Sequence, residues 1–494
     1  MGEVLEHKCG LVLAHSLYDT RAMLKSLQHR GREAAGIAAI GDNRIDVLKW
    51  VGKVDRFDQD DLHKIFPGKE HHTFIGHVRY ATKGRKARQD ILQDAHPHTI
   101  GGTVINNGDH ILVLDCEAAM VHNGQIDVDS LEGIVREELK TGCDTKALLH
   151  FYREKEEKSL LRMVIGTYTL AIADKRRKEV MVIRDRTGNR LGRLGIKGEK
   201  YCVATEDVAI RKNGGKAVTD IEPGCVYYFD HNGQFRKERI IDTRNGALLL
   251  AYCMFEHGYL ASPESVINGV SVLTFREEIG VQLAMENKFE GIDFVTYAPR
   301  SPEAAARRYA EELGVPFIEV FYKPNADRSF MESTQEERTS SIDANLFLIP
   351  HIIPFIRRKR ILVIDDSLVR GTVVNRIRHL LFDVAQVESA ALYSYIPPIG
   401  IIGEDGLPRG CTFGVDMPPS EEKFIARMTE TSGAQRNASP EEINAKAGMP
   451  VFYLSRDGLN KVFDKVGLPH NNMCMYCIGG KEPFPQRASL PVIT

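Results

Sequence analysis

The sequence lacks the charge imbalance that marks nucleic-acid and membrane-surface proteins. Its 65 Lys and Arg against 67 Asp and Glu leave a net charge of −2. That excludes an electrostatic case for nucleic acid or an anionic membrane as partner. Long apolar runs are also missing. The stretch from Leu346 to Ile356 is broken by Pro350, His351 and Pro354, whereas a bilayer needs about 20 consecutive apolar residues. Residues 1–8 hold no apolar core of a secretory signal. There is no internal repeat and no low-complexity tract. Nine cysteines in 494 residues are too sparse for a disulfide scaffold. A reduced, cytoplasmic setting with catalytic or metal-bound thiols is expected instead. What remains, 43% hydrophobic and 27% charged, is the composition of a globular protein. Its length asks for two or three domains.

Two textures divide the chain. Residues 9 to about 235 read as β-rich. Strands are expected at Gly10–Ala14, Gly36–Ile40, Thr73–His77, Ala119–Val121, Tyr168–Ala173, Glu179–Arg184 and Cys225–Phe229, punctuated by Gly, Asn and Asp. From about Glu264, helices and buried strands alternate. Helices are expected at Phe275–Glu286, Pro302–Leu313 and Thr372–Leu381. Strands are expected at Asp293–Tyr297, Val315–Val320, Arg360–Ile364 and Ser389–Tyr395. That order predicts a parallel sheet. The polar stretch Arg236–Asn245 reads as the linker, and Arg357-Arg358-Lys359-Arg360 as a solvated turn.

The strongest chemical signal is Ile361-Leu362-Val363-Ile364-Asp365-Asp366-Ser367-Leu368-Val369-Arg370-Gly371-Thr372. An aliphatic strand ends in two carboxylates, a Ser/Gly/Thr loop and a helical pattern. Ligands bind α/β sheets where strands end, and there a loop's N–H groups and a helix N-terminus can hold phosphate. Paired aspartates repel phosphate. They suit vicinal hydroxyls, or water on a bound Mg²⁺. A phosphate cradle beside a diol reader describes a ribose 5-phosphate site. The segment resembles the phosphoribosyl pyrophosphate (PRPP) signature of type I phosphoribosyltransferases.

The front half carries five further motifs. Cys9-Gly10-Leu11-Val12 opens the first strand behind a polar leader. Ser26-Leu27-Gln28-His29-Arg30-Gly31 leads into Ala34–Ile37. Gly76-His77-Val78-Arg79-Tyr80-Ala81-Thr82 ends a strand. His122-Asn123-Gly124-Gln125 reads as a turn, and Asp144-Thr145 opens a helical run. Taken singly, Arg79 suits a surface ion pair and Asp144 a helix cap. Together, over roughly 220 residues, the motifs resemble the glutaminase domain of N-terminal-nucleophile amidotransferases. The resemblance makes Cys9 the nucleophile once residues 1–8 are removed, with its own α-amino group as base. It assigns the oxyanion hole to Asn123 and Gly124, and glutamine binding to Arg79, Thr82 and Asp144.

Glutaminase and PRPP loop on one chain resemble the glutamine PRPP amidotransferase family, over nearly the whole length. The implied fold is α/β + α+β: stacked antiparallel sheets between helices, followed by a phosphoribosyltransferase domain with a parallel sheet. The implied units are a leader at 1–8, the glutaminase at 9–240, the transferase at 246–470 and a cysteine-bearing tail at 471–494. The implied reaction transfers ammonia from glutamine to PRPP, the first step of purine synthesis. Asp365, Asp366, Ser367, Val369, Arg370, Gly371 and Thr372 would bind PRPP, with Lys323 and Arg328 from a closing loop. Asp365 and Asp366 would also serve Mg²⁺. Purine nucleotides as inhibitors and a homo-oligomer, dimer or tetramer, are implied too.

Cys253, Cys411 and the pair Cys474-Met475-Tyr476-Cys477 add a further expectation. A lone Cys-x-x-Cys suits zinc or a redox disulfide as well. The two distant cysteines, in family-like contexts, imply a [4Fe–4S] cluster on all four. Cys116, Cys143, Cys202 and Cys225 read as packing residues.

The sequence also departs from the family. Pro324 and Asp327 interrupt the closing loop around Lys323 and Arg328. Ile342-Asp343-Ala344-Asn345-Leu346 stands where a basic Val-Arg-x-Lys-Leu is expected. Ala298-Pro299-Arg300-Ser301 replaces Val-Pro-Asp-Ser, and Ala95-His96-Pro97 replaces Ala-Gln-Pro. His71, His72, His96 and His98 read as surface histidines. The departures keep open two alternatives: a paralogue with another phosphorylated acceptor, and a catalytically weak regulatory protein that binds PRPP or nucleotides.

Overall fold

The computed structural model describes residues 9–67, 70–80, 88–131, 133–135, 143–242, 250–323, 346–415, 417–420 and 423–484. In the front half both faces of the central strands are apolar, because both are covered. Successive side chains of a strand point to opposite faces. Leu11 and Leu13 therefore enter one core, and Val12 and Ala14 another. Gly10–Ala14 lies between His71–Arg79 and Lys200–Ala204 in a nine-stranded antiparallel sheet. A six-stranded antiparallel sheet is built around Ala118–Ile126 and Gly166–Asp174. The inner faces share one core, with Leu11, Leu13 and Ile75 against Ala119, Val121 and Ala171. Helix Leu17–Ser26 covers the first sheet through Met23 and Leu24. Helix Asp144–Met163 covers the second through Leu148 and Phe151. These are the stacked sheets between helices that the sequence implied.

The back half holds four parallel strands in the order Phe294–Tyr297, Arg360–Asp365, Ser389–Ser394 and Val451–Tyr453. Leu362 and Ile364 face helices Val272–Glu286, Glu303–Leu313 and Arg456–Lys465. Ile361 and Val363 face Thr372–Arg378 and Pro440–Ala447. All four aliphatic residues are at most 2% exposed. At about 1.5–3 kcal/mol each, their burial contributes up to roughly 6–12 kcal/mol, which anchors the loop at the end of the strand. Among the described residues no helix is long and apolar enough to cross a membrane.

Several sequence expectations change. Arg236–Arg239 belongs to an edge strand, Phe235–Arg239, paired with Cys225–Phe229. Its charges are those of an edge exposed to water. Phe235 packs on Tyr201 and Tyr227, and the Arg236 guanidinium lies 3.6 Å from the Tyr228 ring centroid. His122–Gln125 is not a turn. It continues the strand, with Asn123 opposite Thr169 and Gly124 opposite Tyr168. Val315–Val320 makes only a bridge, Phe317 opposite Val295, since Pro316 cannot donate to a ladder. The expected helix Thr372–Leu381 is α-helical to Arg378 and widens into π-type turns over His379–Val384.

Candidate active site

Cys9 immediately precedes the strand Gly10–Ala14, whose Gly10 pairs with Val78, next to Arg79. Burial pushes its thiol up. The Tyr80 backbone N–H and the guanidinium of Arg79 act the other way. A thiol kept protonated in this way needs a base before it can attack. Arg79 ends its strand buried, with Nη2 3.5 Å from Asp94 Oδ2 and Nη1 without a partner among the described residues. Asn123 is 1% exposed, and its Nδ2 is likewise a buried donor without a partner among them. Such donors cost free energy unless something accepts from them. A glutamine carboxylate and an amide oxyanion are acceptors of the right kind. Gly124 has no room for a side chain, because a Cβ there would lie 2.0 Å from the Thr167 carbonyl oxygen. Asp144 opens its helix, and one carboxylate oxygen accepts from the Ile126 N–H at 3.1 Å. His77 Nε2 lies 2.9 Å from the His122 carbonyl oxygen and ties the two sheets together here. Thr82 lies outside the described residues.

Sequence reasoning passed over the charged group behind Cys9. Arg30 is fully buried. Its Nε donates to the Cys9 carbonyl at 3.0 Å, and its Nη1 reaches Glu206 at 2.7 Å. The same guanidinium reaches Glu256 at 2.9 and 3.1 Å. Arg190 contacts Glu256 at 3.3 Å and the Phe413 carbonyl at 3.2 Å. Although burial opposes it, His29 and Arg30 hold the Glu206 carboxyl well below the usual range. Arg30 stood inside the quoted Gln28–Gly31 motif, and that was its only signal.

In the back half, Asp365 is 5% exposed at the C-terminal end of its strand, and its Oδ1 accepts the Asp366 N–H at 2.9 Å. Ser367 Oγ donates to Asp366 Oδ1 at 2.8 Å. The Val369 carbonyl accepts from the Ile425 N–H at 2.7 Å, which fixes the middle of the loop. Gly371, at φ +86°, turns the chain into helix Thr372–Arg378. Arg300 is exposed beyond the neighbouring strand Phe294–Tyr297, at the same end of the sheet as Asp365. Lys323 is exposed just after Phe321–Tyr322. Arg328, Asp343 and Asn345 lie outside the described residues.

Cys253, Cys411, Cys474 and Cys477 converge on one cavity, walled by Phe255, Phe413, Met417 and Tyr476. Cys253 and Cys474 are register partners in a short parallel ladder. Burial pushes Cys474 up to about 12 and raises Cys253 and Cys477 too. Buried neutral thiols with Arg190 close to Cys253 and Cys474 are a donor set that becomes anionic on binding metal.

Two readings of the front half are overturned. His96 and His98 are 4% and 2% exposed, and the His71 side chain is 4% exposed, so none is a surface histidine. Cys143 precedes the Asp144 helix and lies with His96 and His98, whereas Cys116, Cys202 and Cys225 pack in apolar cores as expected.

A half-buried thiol near Arg79, with donors of Arg79 and Asn123 that find no partner among the described residues, joined to a parallel sheet with an inner strand ending in Asp365-Asp366, fits a glutamine amidotransferase coupled to a ribose-phosphate-binding half. Residues 106–242 match the glutamine amidotransferase domain family. The amidophosphoribosyltransferase of Methanothermobacter thermautotrophicus is 30% identical over 97% of this chain and 95% of its own. That of Mycobacterium bovis is 31% identical over 93% and 82%. The solved glutamine PRPP amidotransferase from B. subtilis, complexed with ADP and GMP, superposes with a TM-score of 0.75 at 26% identity, covering 97% of this chain and 99% of its own. The chain belongs to the amidophosphoribosyltransferase family. Its activity is the glutamine-dependent amination of PRPP in purine biosynthesis.

Proposed function

We propose the following division of labour for that reaction, giving 5-phosphoribosylamine, pyrophosphate and glutamate. Cys9, at the N-terminus once residues 1–8 are removed, gives its thiol proton to its own α-amino group and attacks the glutamine amide carbon. The Asn123 Nδ2 and the Gly124 N–H hold the oxyanion, each donor worth roughly 3 kcal/mol in the transition state. Arg79 binds the α-carboxylate through a bidentate fork, Asp144 binds the α-ammonium, and Thr82 completes the pocket. Ammonia leaves, and water releases glutamate from the thioester. The observation that carries this reading is the pair of buried, unpartnered donors, Asn123 Nδ2 and Arg79 Nη1.

Ammonia then attacks the anomeric carbon of PRPP and pyrophosphate departs. Asp365 and Asp366 would hold the ribose hydroxyls and serve a Mg²⁺ ion, which would offset the charge of the departing pyrophosphate. The loop Ser367, Val369, Arg370, Gly371 and Thr372 holds the 5-phosphate. Lys323, Arg328 and Arg300 face the pyrophosphate. The four-cysteine cavity suits a [4Fe–4S] cluster, which would tie the tail 471–494 to the start of the transferase unit at 246–470, behind a glutaminase unit at 9–240. A cytoplasmic homo-oligomer inhibited by purine nucleotides completes the reading. Its nucleotide part rests on the ADP and GMP of the B. subtilis relative.

The test is a coupled assay with PRPP, Mg²⁺ and either glutamine or ammonia. Cys9→Ala should abolish the glutamine-dependent rate and spare the ammonia-dependent one. Intact mass of active protein should show residues 1–8 removed. Full glutamine-dependent activity in Cys9→Ala would sink the assignment.

A further inference from the structure

His96, His98 and Cys143 form the one group among the described residues in which three metal-type ligand atoms all lie within 4.8 Å of one another. The three residues sit in the glutaminase half, between the segment that enters strand His98–Ile100 and the residue before helix Asp144–Met163. Among the described residues both imidazoles keep a buried nitrogen without a partner, His96 Nδ1 and His98 Nε2. The remaining nitrogen of His96 lies 2.9 Å from Thr145 Oγ1, and His98 bonds the Asp94 carbonyl. A second hydrogen bond of that kind orients metal-ligating imidazoles. A thiol and two imidazoles, each ring with one buried nitrogen lacking a partner among the described residues, therefore lie together here, and the Cys143 thiol makes a long contact of 3.9 Å to Asp144 Oδ1.

We propose that His96, His98 and Cys143 bind one Zn²⁺, with water as the fourth ligand, and that the ion pins the 96–98 segment to the N-terminus of helix Asp144–Met163. Two imidazoles and a thiolate suit zinc rather than magnesium or calcium, which take oxygen ligands. The ion displaces the Cys143 proton to solvent and leaves the site with one net positive charge. Asp94 and Asp144 favour a cation here, while Arg79, Lys49 and Lys146 oppose one. The site owes nothing to the four-cysteine cavity and rests on none of the catalytic roles proposed above.

The full-length protein, purified anaerobically, is titrated with Zn²⁺ and its bound metal counted by mass spectrometry. Wild type should hold one zinc that His98→Phe and Cys143→Ser lose. Affinity should fall by more than about 100-fold, since even changes behind the ligands cost about 10- to 100-fold. Co²⁺ in place of Zn²⁺ should give thiolate charge-transfer absorption that Cys143→Ser abolishes. Zinc should also slow amide exchange at the start of helix Asp144–Met163 in wild type alone. If either variant folds poorly, His96→Gln carries the test, because the family pattern has glutamine there. Wild type that binds no such zinc, or variants whose zinc count and affinity match it, overturns the proposal.

Discussion

Replacing Arg30 by methionine should loosen the strand that follows Cys9 without touching the thiol. The guanidinium makes hydrogen bonds to the Cys9 carbonyl, Glu206 and Glu256, and all three side chains are fully buried. Methionine fills much of the volume but leaves two carboxylates in the interior without their main counter-charge. Breaking a buried pair from one side costs about 3–5 kcal/mol. Because a multi-unit chain does not unfold in two states, the readout is local. Amide exchange of Gly10–Ala14 should speed up by roughly 10²- to 10³-fold at pH 7, if it exchanges by sub-global opening. The pH dependence has a definite sign. In wild type the folded Glu206 carboxyl is depressed, so its contribution is present above its unfolded value of 4.5 and lost as pH falls through the lower folded value. In Arg30→Met burial dominates and raises that folded value. The stranded carboxylates then take up protons as pH falls from 7 toward 5, and the gap from wild type narrows. An exchange gap below about fivefold, or one that widens toward pH 5, would refute the reasoning.

Asn123→Ala should lower the glutamine-dependent rate by about 10²- to 10³-fold and leave the ammonia-dependent rate within twofold, read in the coupled assay. Gly124→Ala should do at least as much harm, because its Cβ meets the Thr167 carbonyl oxygen at 2.0 Å and the strands must separate; amide exchange along Gly166–Asp174 reports it. Asp365→Ala should weaken PRPP binding by at least tenfold in calorimetry with Mg²⁺ while glutamine hydrolysis persists. Cys477→Ser should lower iron content after anaerobic purification and increase proteolysis near residues 471–484, and unchanged iron would discount that cysteine as a ligand.

What was legible in the sequence was local. Ile361–Ile364 declared a buried strand because four aliphatic residues precede a polar loop, and Gly10–Ala14 did so for the same reason. Cys9, Arg79, Asn123 and Asp144 were legible as a motif set, although the strand through His122–Gln125 was not. Asn and Gly in sequence suggest a turn, and only pairing with Thr167–Leu170 on the neighbouring strand reveals the ladder. Arg30 meeting Glu256 spans 226 positions, and no local pattern foretells such a contact. His96 and Cys143 come together for the same reason, by packing of a segment against a helix end. The charges of Arg236–Arg239 misled because an edge strand and a linker are both solvated.

The ladder that places Cys253 beside Cys474 sets an order of assembly on the ribosome. Roughly 220 residues separate the two, about 10–45 s of synthesis at 5–20 residues per second. Through that interval the front sheets can fold, but the strand before the Glu256 turn waits for a partner not yet made. Arg30 and Arg190, both already made, can receive Glu256 as soon as it emerges, while the strand Tyr252–Cys253 before it still has no partner. Only a chain translated past Cys474 can close the ladder that adjoins the Glu256 turn behind its nucleophile.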